Sequence, residues 1–446
     1  MAASAAPAAL RRTLGFTDLT LLTVGTVIGS GIFLVPGLVL RQTGGRTGLA
    51  LSVWIVAGVL SWLGALSYAE LGAMHPEAGG LYVYIREAFG PLPAFLYGWT
   101  SFTVIASGSI AALAVALGGY AGLLLPALRI PAPVIAVLAI AVLAALNVRG
   151  TRQSATAQNW MTLAKVAALL ALSLTLLLRG HASAQGEALP PVASLAGGLG
   201  AAMIGVLWAY EGWQYVTFSA GEARNPQRIF PRAISVATLG LIALYLLANL
   251  GYLTALGPLV EARSDRVAAD AVGTILGPLA SRLVGGLILL SILSALNGLL
   301  LTAPRMYFAM ARDGVFLRRL GVVHARFGTP AVAVLVLALW AALLAATGSF
   351  EQLLTYVVFT GWIFYALGAL SLLVLRRTRP ATPRPFRVPG YPATPLLFVA
   401  AALLLVLNTV LTQPGRAAAG LGVVALGAPA FYAWRSGARP APAPPS

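Results

Sequence analysis

The stretch VGTVIGSGIF, residues 24–33, lies inside an apolar segment that is long enough to cross a bilayer. Its three consecutive small residues, Gly-Ser-Gly at 29–31, weaken helical hydrogen bonding locally. A second interruption lies in GVLWAYEGWQYVTFSAGE, residues 205–222, where Glu211 is followed by Gly212 within another apolar segment. Helix breaks and charges inside a bilayer are costly unless they line a cavity, so these two stretches predict where a functional site lies.

The composition of the whole chain is that of a membrane protein. Its 446 residues are 59% hydrophobic and 9% charged, with a mean hydropathy of +0.88. A soluble domain usually carries about 25% charged residues. The apolar residues come in runs of about 20, the length of a spanning helix, and they do not alternate as barrel strands do. We therefore predict an all-α integral membrane protein.

Apolar windows between loop signals predict about twelve spans. Their limits are 16–40, 47–74, 92–124, 132–148, 158–179, 196–222, 232–256, 282–311, 330–347, 352–376, 395–412 and 417–434. Between them, segment 75–91 is expected to be a connection with a short helical middle. Segment 257–281 is too polar to span and is expected to be an external amphipathic loop.

The arginines predict the orientation of these spans. One set of connections carries 20 arginines and the other carries 8. The positive-inside rule then places both termini in the cytoplasm and the protein in the cell inner membrane. The net charge of +17 is thus explained as an orientation signal, and no nucleic-acid partner is predicted.

Several chemistries are excluded or disfavoured. The chain has no cysteine, so disulfides, thiolate chemistry and iron–sulfur clusters are excluded. His75, His181 and His324 lie far apart near predicted loops, so no metal site is predicted, and no cofactor is expected. Residues 1–15 are expected to be a cytoplasmic segment without a cleavable signal pattern. The Pro- and Ala-rich tail, 435–446, is expected to be disordered and cytoplasmic.

Three features of the spans admit a functional and a structural interpretation. Free N–H groups at the Gly-Ser-Gly stretch would suit a carboxylate, whereas Gly25 and Gly29 could instead form a G-x-x-x-G packing face. Glu211, beside glycine and large aromatics, indicates a substrate cavity, unless it snorkels or pairs within the bundle. Lys165, the only lysine of the chain, either pairs with backbone carbonyls at a helix break or snorkels to the interface.

The interrupted spans are the first and the sixth, at equivalent positions in two sets of five. Such a pair indicates a transporter built from inverted repeats with a site near the midplane. We therefore expect a first repeat at 16–179, a second at 196–376 and two additional helices at 395–434.

Four motifs carry a family resemblance: VIGSGIF in the first span, WAYEGWQYVTFSAGEARNPQRIFPRAI at 208–234, ALNGLLLTAPRMYFAMARDGVF at 295–316 and GGLYVYIREAFG at 79–90. Together with Lys165, they resemble the amino acid–polyamine–organocation superfamily, and most closely its L-amino-acid transporter branch of bacterial type. The resemblance covers roughly residues 14–435.

The resemblance implies a ten-helix inverted-repeat core with broken helices 1 and 6, plus two extra helices, working by alternating access. It implies that backbone groups at Gly29, Ser30 and Gly31 bind a substrate carboxylate. The same resemblance implies that carbonyl oxygens near Ile28 and at Trp208, Ala209 and Glu211 bind the substrate ammonium, and that Trp208 is the gate that closes over the substrate. It implies that Gln214 is an amide that links helices near the site and that Asn297, with Gly298, is the pair of the eighth span. Lys165 would take the place of a sodium ion.

Two features of this chain depart from animal members of the branch or vary within it. Animal members join a heavy chain through a loop cysteine; this chain has none, so we expect no disulfide-linked heavy chain. Glu211 occupies a position that varies in the branch. An acid there could favour cationic substrates, or it could hold a structural hydrogen bond while neutral substrates pass.

The leading hypothesis is a sodium-independent secondary transporter of L-amino acids, an exchanger that favours small or medium neutral substrates. The alternative within transport is a proton-coupled symporter, or a carrier of cationic amino acids or amines, motivated by Glu211. An intramembrane enzyme is a remote alternative, because the spans offer few catalytic groups and no histidine lies mid-span.

Overall fold

The computed structural model describes residues 10–124, 129–181, 189, 194–347 and 350–437. Within these ranges the chain forms sixteen α-helices joined by short π- and 3₁₀-helical segments and loops. A single parallel β-bridge joins Leu14 to Ala223 in the described part. The predicted all-α membrane fold class is confirmed.

The first half of the chain contains eight helices. They are α1 (Phe16–Val27), α2 (Gly31–Gln42), α3 (Thr47–Met74), α4 (Leu81–Phe89), α5 (Pro91–Thr100), α6 (Ala106–Leu124), α7 (Ala132–Arg149) and α8 (Thr151–Arg179). A π-helical segment, Ser101–Ile105, joins α5 to α6. The short helix predicted within 75–91 is present as α4.

The second half contains the other eight. They are α9 (Leu195–Ala209), α10 (Pro226–Arg263), α11 (Val267–Thr302), α12 (Pro304–Arg312), α13 (Ala331–Thr347), α14 (Phe350–Thr378), α15 (Ala393–Thr412) and α16 (Pro414–Gly437). The 3₁₀-helical segments Trp213–Glu222 and Arg318–Gly321 follow α9 and α12.

Nine helical stretches of the described residues are long and apolar enough to cross a membrane, and the bent pair α1–α2 makes a tenth. The other two predicted spans correspond to shorter helical stretches. One is α13, with 17 residues, and the other is α9 together with the 3₁₀-helix after it. Each of the twelve predicted spans therefore coincides with helix.

The polar segment 257–281, which was expected to be an external amphipathic loop, is largely helical. The helices α10 and α11 are each interrupted by one non-helical residue, Gly257 and Gly277. Between these residues, Glu261 and Val267 are buried. The backbone at Glu261 and Ser264 and the side chain of Val267 lie close to Gly37 in the middle of α2, so the segment packs on the bundle.

The first three residues of the predicted tail, 435–437, are helical rather than disordered, because α16 continues to Gly437. Residues 438–446, like residues 1–9 at the other end, lie outside the described residues.

The ion pairs of the described chain each join two residues from the same predicted side of the membrane. On the arginine-poor side, Arg41 pairs with Asp265 at 3.1 Å. On the arginine-rich side, Arg376 pairs with Glu70 at 2.6 Å. The remaining pairs on the arginine-rich side are Arg86 with Glu77, Glu87 and Asp313, Arg152 with Asp18, Arg305 with Glu222, Arg379 with Glu87, and Arg384 with Glu70. This grouping supports the predicted division of the connections into two sets.

Candidate substrate site at two helix breaks

The first span is broken where the sequence predicted it. The helix α1 ends at Val27, α2 begins at Gly31, and their axes differ by 45°. Ile28 is extended, with a ψ of 90°, so the hydrogen-bond ladder cannot continue through it. The first N–H groups of α2 lack partners within their own helix. They lie inside the bundle, where they are available to an anion.

The second break lies in the sixth span. The helix α9 ends at Ala209, and Gly212 has a φ of +130°, a conformation that residues with a Cβ rarely adopt. A Cβ at Gly212 would also lie 2.9 Å from the carbonyl carbon of Thr26. Glycine is therefore required there both by the backbone conformation and by the closeness of the first span.

The two breaks touch each other. A Cβ on Gly31 would lie 2.7 Å from both the Cα and the Cβ of Ala209. The Tyr245 hydroxyl of α10 lies 3.0 Å from the Ala209 carbonyl oxygen and 3.3 Å from the Val27 carbonyl oxygen. One hydroxyl thus reaches the last carbonyls of both half-helices, and this fixes their relative position.

Lys165 is fully buried on α8 and faces the first break. Its ammonium donates to the carbonyl oxygens of Gly25 at 2.6 Å and Ile28 at 2.5 Å, and reaches the Ser291 carbonyl at 3.4 Å. No carboxylate of the described chain pairs with it. The positive charge is therefore stabilised by carbonyl dipoles freed at the helix break, which is the arrangement that the lone lysine suggested.

A small cavity lies between the two breaks, with about 30 Å³ accessible to a water-sized molecule, so the breaks are closed around it in this conformation. It is lined by Thr26, Val27, Gly29, Ser30, Gly31, Ser109, Leu113, Trp208, Glu211, Gly212, Tyr215 and Leu299. The Ser30 hydroxyl is buried and has no hydrogen-bond partner among the described residues. A polar wall at the broken backbone thus faces the aromatic ring of Trp208 and the Glu211 carboxylate.

Glu211 is held by two neighbours at the edge of this cavity. Its Oε1 accepts a hydrogen bond of 2.5 Å from the Tyr365 hydroxyl of α14. The Gln214 amide donates to the same oxygen and also to the Tyr365 hydroxyl, at 2.8 Å. Gln214 therefore links the sixth span to the tenth, as the resemblance implied for its position.

Four of the predicted substrate positions do not line the cavity: Ile28, Ala209, Gln214 and Asn297. The Ile28 carbonyl oxygen already accepts hydrogen bonds from Lys165 and from the Ser291 hydroxyl at 2.9 Å. A carbonyl oxygen has two lone pairs, and in this conformation both lone pairs of the Ile28 carbonyl oxygen are engaged. Its contact with a substrate ammonium stays a prediction.

Asn297 belongs to a buried polar seam between α7, α8 and α11. Its Oδ1 accepts a hydrogen bond from Asn147 at 2.9 Å, and its amide donates to Gln158 at 2.9 Å. Ser154 and Ser294 complete the seam. The seam lies directly behind the first span, since a Cβ on Gly298 would lie 2.5 Å from the Thr26 hydroxyl. In this conformation Asn297 joins helices, and its contact with substrate stays a prediction.

Tyr245, Ser291 and Tyr365 contact the breaks or Glu211, and the sequence analysis did not single them out. Ser291, Ser294 and Asn297 recur every three residues on one face of an apolar helix, a pattern that signals a buried polar stripe. Tyr245 and Tyr365 carry no such signal, because each is one aromatic residue among many.

The arginine-rich end of the site is closed by backbone and charge contacts. The N–H groups of Thr13 and Leu14 donate to the Glu222 carbonyl at 2.9 Å, which ties the start of α1 to the end of the sixth span. The buried Arg305 pairs with the Glu222 carboxylate at 2.6 Å, and Thr151 joins this pair from α8. The path from the cavity towards this side is therefore blocked in this conformation.

A second cluster surrounds α4 at the same end. Arg86 contacts Glu77, Glu87 and Asp313, and Glu87 also pairs with Arg379 at 2.5 Å. Burial alone would raise the pKa of the Glu87 carboxyl, but hydrogen bonds from Arg379 and Arg86 hold that pKa below its usual value. Glu87 is therefore ionised at neutral pH and joins α4 to the end of α14.

These features define a multi-pass membrane protein with two broken helices around an internal cavity. A sequence model of the amino acid permease family matches residues 14–425. The chain belongs to the amino acid permease family, whose members are membrane transporters and not enzymes.

Named relatives cover nearly the whole chain. It is 32% identical to the b(0,+)-type amino acid transporter 1 of Mus musculus, over 91% of this chain and 84% of the relative. It is 32% identical to the cystine/glutamate transporter of Homo sapiens, over 92% and 82%. It is 28% identical to the serine/threonine exchanger SteT of Bacillus subtilis (strain 168), over 95% and 97%.

Proposed function

We propose that this protein is a sodium-independent exchanger of L-amino acids that favours small or medium neutral substrates and works by alternating access. The cavity between the two breaks carries the proposal, because it combines free backbone N–H groups, the unpartnered Ser30 hydroxyl and the apolar walls of Trp208 and Leu113. Backbone N–H groups suit a carboxylate, and apolar walls suit a small aliphatic side chain.

Lys165 supports independence from sodium. Its ammonium occupies the carbonyl oxygens of Gly25 and Ile28, and hard oxygen ligands of this kind would otherwise suit a metal cation. A fixed side-chain charge at this place removes the need for a dissolved ion. Exchange as the mode of transport is supported by a relative that is named as a serine/threonine exchanger.

In this proposal the protein consists of two inverted repeats, at 16–179 and 196–376, followed by two helices at 395–434. The breaks of the first and sixth spans, at Gly29–Gly31 and at Glu211–Gly212, would be equivalent points of the two repeats. Both termini would lie in the cytoplasm, and the membrane would be the cytoplasmic membrane.

Counterflow in liposomes tests the proposal. Purified protein is reconstituted in liposomes loaded with one unlabelled amino acid, and each labelled amino acid is offered outside with sodium replaced by an impermeant organic cation. We expect labelled neutral amino acids to accumulate transiently inside. The proposal is wrong if no amino acid accumulates, and independence from sodium is wrong if accumulation requires sodium.

The second candidate function is proton-coupled transport or transport of cationic amino acids. The observation in its favour is Glu211, whose carboxylate lines the cavity. Glu211→Gln in the same assay separates the possibilities. Loss of pH dependence would support proton coupling, loss of arginine and lysine uptake alone would support charge recognition, and loss of neither would leave Glu211 a structural role.

Tyr365→Phe is the matched control for that substitution. It removes the 2.5 Å hydrogen bond to Glu211 but keeps the carboxylate in the cavity. A role that depends on the carboxylate itself predicts that Tyr365→Phe retains the pH dependence or the cationic uptake that Glu211→Gln loses.

A further inference from the structure

A polar cavity of about 290 Å³ lies at the arginine-rich end of the molecule. Three segments form its walls: the segment before α1, the loop after α3 and the start of α10. Its lining residues are Arg12, Pro76, Asn225, Pro226, Gln227 and Arg228. None of them lines the cavity between the helix breaks, and the proposed function gives them no role.

This cavity carries positive charge that the described chain does not neutralise. Arg12 and Arg228 are exposed, and neither guanidinium forms an ion pair or a hydrogen bond with a described residue. No acidic residue is among the six that line the cavity. Glu77 and Asp313 line a neighbouring cavity that also contains Arg12, but both of their carboxylates bond to Arg86. Two unpaired guanidinium groups therefore share one polar space.

Two side-chain amides add neutral donors to the same cavity. The side chain of Asn225 does not cap α10. Neither its amide nor that of Gln227 bonds to another described residue. A side-chain amide has two N–H donors and a guanidinium has five, so the lining is rich in donors and has no anionic acceptor.

This set of donors fits a phosphate group. An amino acid would place its ammonium beside arginines with no carboxylate to receive it, so the cavity does not suit a second substrate molecule. A lone carboxylate would neutralise only one of the two guanidinium charges. A phosphate monoester carries about −1.5 to −2 charges at pH 7, and its oxygens accept paired hydrogen bonds from a guanidinium. Basic pockets at the cytoplasmic ends of spanning helices also bind lipid phosphates.

The cavity adjoins the backbone contact that closes this end of the molecule. Leu14 and Ala223 form the parallel β-bridge. Arg12 lies two residues before Leu14, and Arg228 lies five residues after Ala223. A ligand held by both arginines would therefore join the same two segments that the bridge joins.

We propose that this cavity binds a phosphate group, from a soluble phosphate compound or from the headgroup of an anionic phospholipid, and that the bound phosphate holds the arginine-rich end closed. An anion between Arg12 and Arg228 replaces their mutual repulsion with charge-assisted hydrogen bonds to both. Opening would separate the two arginines and break one of these contacts. The effect on opening rests on the proposed function, whereas the binding site does not.

Thermal unfolding tests the soluble source. The protein in a neutral detergent is titrated with inorganic phosphate at constant ionic strength, with chloride as the balancing anion. We expect a saturable rise in the melting temperature that chloride does not give. Arg12→Gln and Arg228→Gln should each weaken binding about 10-fold or more, because each variant loses a hydrogen bond between charged groups.

Arg319→Gln is the matched control. Arg319 is exposed on the same side of the molecule and does not line the cavity. This variant should bind phosphate as the wild type does. Equal weakening in all three variants would show general charge screening and overturn the site. The melting temperature in chloride shows whether each variant folds, and either Arg12→Gln or Arg228→Gln is sufficient if the other is unstable.

Native mass spectrometry tests the lipid source. Delipidated protein is offered phosphatidylglycerol or phosphatidylcholine at equal concentrations in detergent. The lipid source is supported if the wild type and Arg319→Gln retain one phosphatidylglycerol molecule that Arg228→Gln loses. The proposal is wrong if neither inorganic phosphate nor phosphatidylglycerol distinguishes Arg12→Gln and Arg228→Gln from Arg319→Gln.

Counterflow tests the effect on opening, with inorganic phosphate on both sides of the liposomes or phosphatidylglycerol in the bilayer. Loss of one charge-assisted contact on opening predicts exchange about 10-fold slower with the phosphate probe than without it. Arg319→Gln should show the same slowing and Arg12→Gln should not. Equal rates with binding intact would refute the effect on opening. Absence of all exchange would contradict the proposed function alone, because binding is measured without transport.

Discussion

Lys165 is the single residue whose environment is most unusual. A charge in a bilayer normally pairs with an opposite charge, yet this ammonium contacts carbonyl oxygens of the first span and of Ser291. Those carbonyls are free because the helix is broken, so the lysine and the break depend on each other.

Lys165→Met should abolish exchange. The thioether keeps the length of the side chain but cannot donate, and the Gly25 carbonyl would lose a strong hydrogen bond. An unsatisfied buried group costs about 1–3 kcal/mol, so melting of the detergent-solubilised protein should begin at a lower temperature. Leu178→Ala, on the same helix at an 81% exposed position, should leave both properties unchanged. Exchange at the wild-type rate in Lys165→Met would contradict this role.

Gly31 and Gly29 should respond differently to the same methyl group. In Gly31→Ala the Cβ would lie 2.7 Å from Ala209, which overpacks the contact between the breaks and should cost about 1–3 kcal/mol. In Gly29→Ala the nearest atom is a flexible Leu113 methyl at 3.3 Å, so the fold should tolerate it while the cavity narrows.

Thermal unfolding and substrate affinity separate these two effects. Gly31→Ala should lower the melting temperature, whereas Gly29→Ala should weaken binding at a melting temperature near that of the wild type. Gly240→Ala is the control, because its Cβ meets nothing within 4 Å and the change should stabilise α10 by up to about 1 kcal/mol. Equal melting temperatures for the Gly29 and Gly31 variants would contradict the close contact.

How far single residues could be predicted depends on how local their signal is. Gly29–Gly31, Glu211 and Lys165 were found because small residues and charges are conspicuous in apolar spans. Tyr245 and Ser291 were missed because their roles arise only when distant helices meet. For the same reason, the sequence did not predict the hydrogen bonds of Asn297 with Asn147 and Gln158.

At the level of helices, the buried pair Arg305–Glu222 joins α12 to the end of the sixth span. The Thr151 hydroxyl of α8 adds a third element. Removing one partner leaves an uncompensated buried charge, which costs about 3–5 kcal/mol. We therefore expect Arg305→Met to lower the melting temperature sharply or to prevent folding.

The exposed pair Arg41–Asp265 provides the contrast. Asp265 is 85% exposed, and such pairs contribute about 0–1 kcal/mol. Asp265→Asn should therefore have nearly the wild-type melting temperature. If Arg305→Met is so unstable that it cannot be purified, Glu222→Gln, which keeps the shape, should still unfold well below Asp265→Asn. Equal melting temperatures for Glu222→Gln and Asp265→Asn would show that the buried pair contributes little.

Helices were predictable where hydropathy decides and less so where tertiary packing decides. The spans and both breaks were predicted from apolar length and from glycine. The sequence predicted a loop at 257–281, where the chain is largely helical. Polarity excludes a membrane span there but does not exclude a helix that lies on the bundle. Its apolar face, with Val267 and Val272 buried, finds its partner only in the folded molecule.

For the molecule as a whole, the contacts indicate how alternating access would work. The site is closed at the arginine-rich end by the β-bridge of Leu14 and by the Arg305–Glu222 pair. For substrate to leave on that side, the start of α1 would have to separate from the end of the sixth span. The buried seam around Asn297 joins α7, α8 and α11, so we expect those helices to move as one frame.

The last prediction concerns orientation, which ion pairs alone cannot assign because they group the connections without saying which group is inside. A chain without cysteine is well suited to the test, since each introduced thiol is the only one present. Asp265→Cys lies on the arginine-poor side at an exposed position, and Thr382→Cys lies on the arginine-rich side at a partly exposed position. In intact cells, a membrane-impermeant maleimide should label Asp265→Cys and not Thr382→Cys, because arginine-rich connections are retained in the cytoplasm.

Permeabilised cells should give label on both, which controls for thiol reactivity. Labelling of Thr382→Cys alone in intact cells would invert the topology, and with it the conclusion that the Arg305–Glu222 pair closes the cytoplasmic exit.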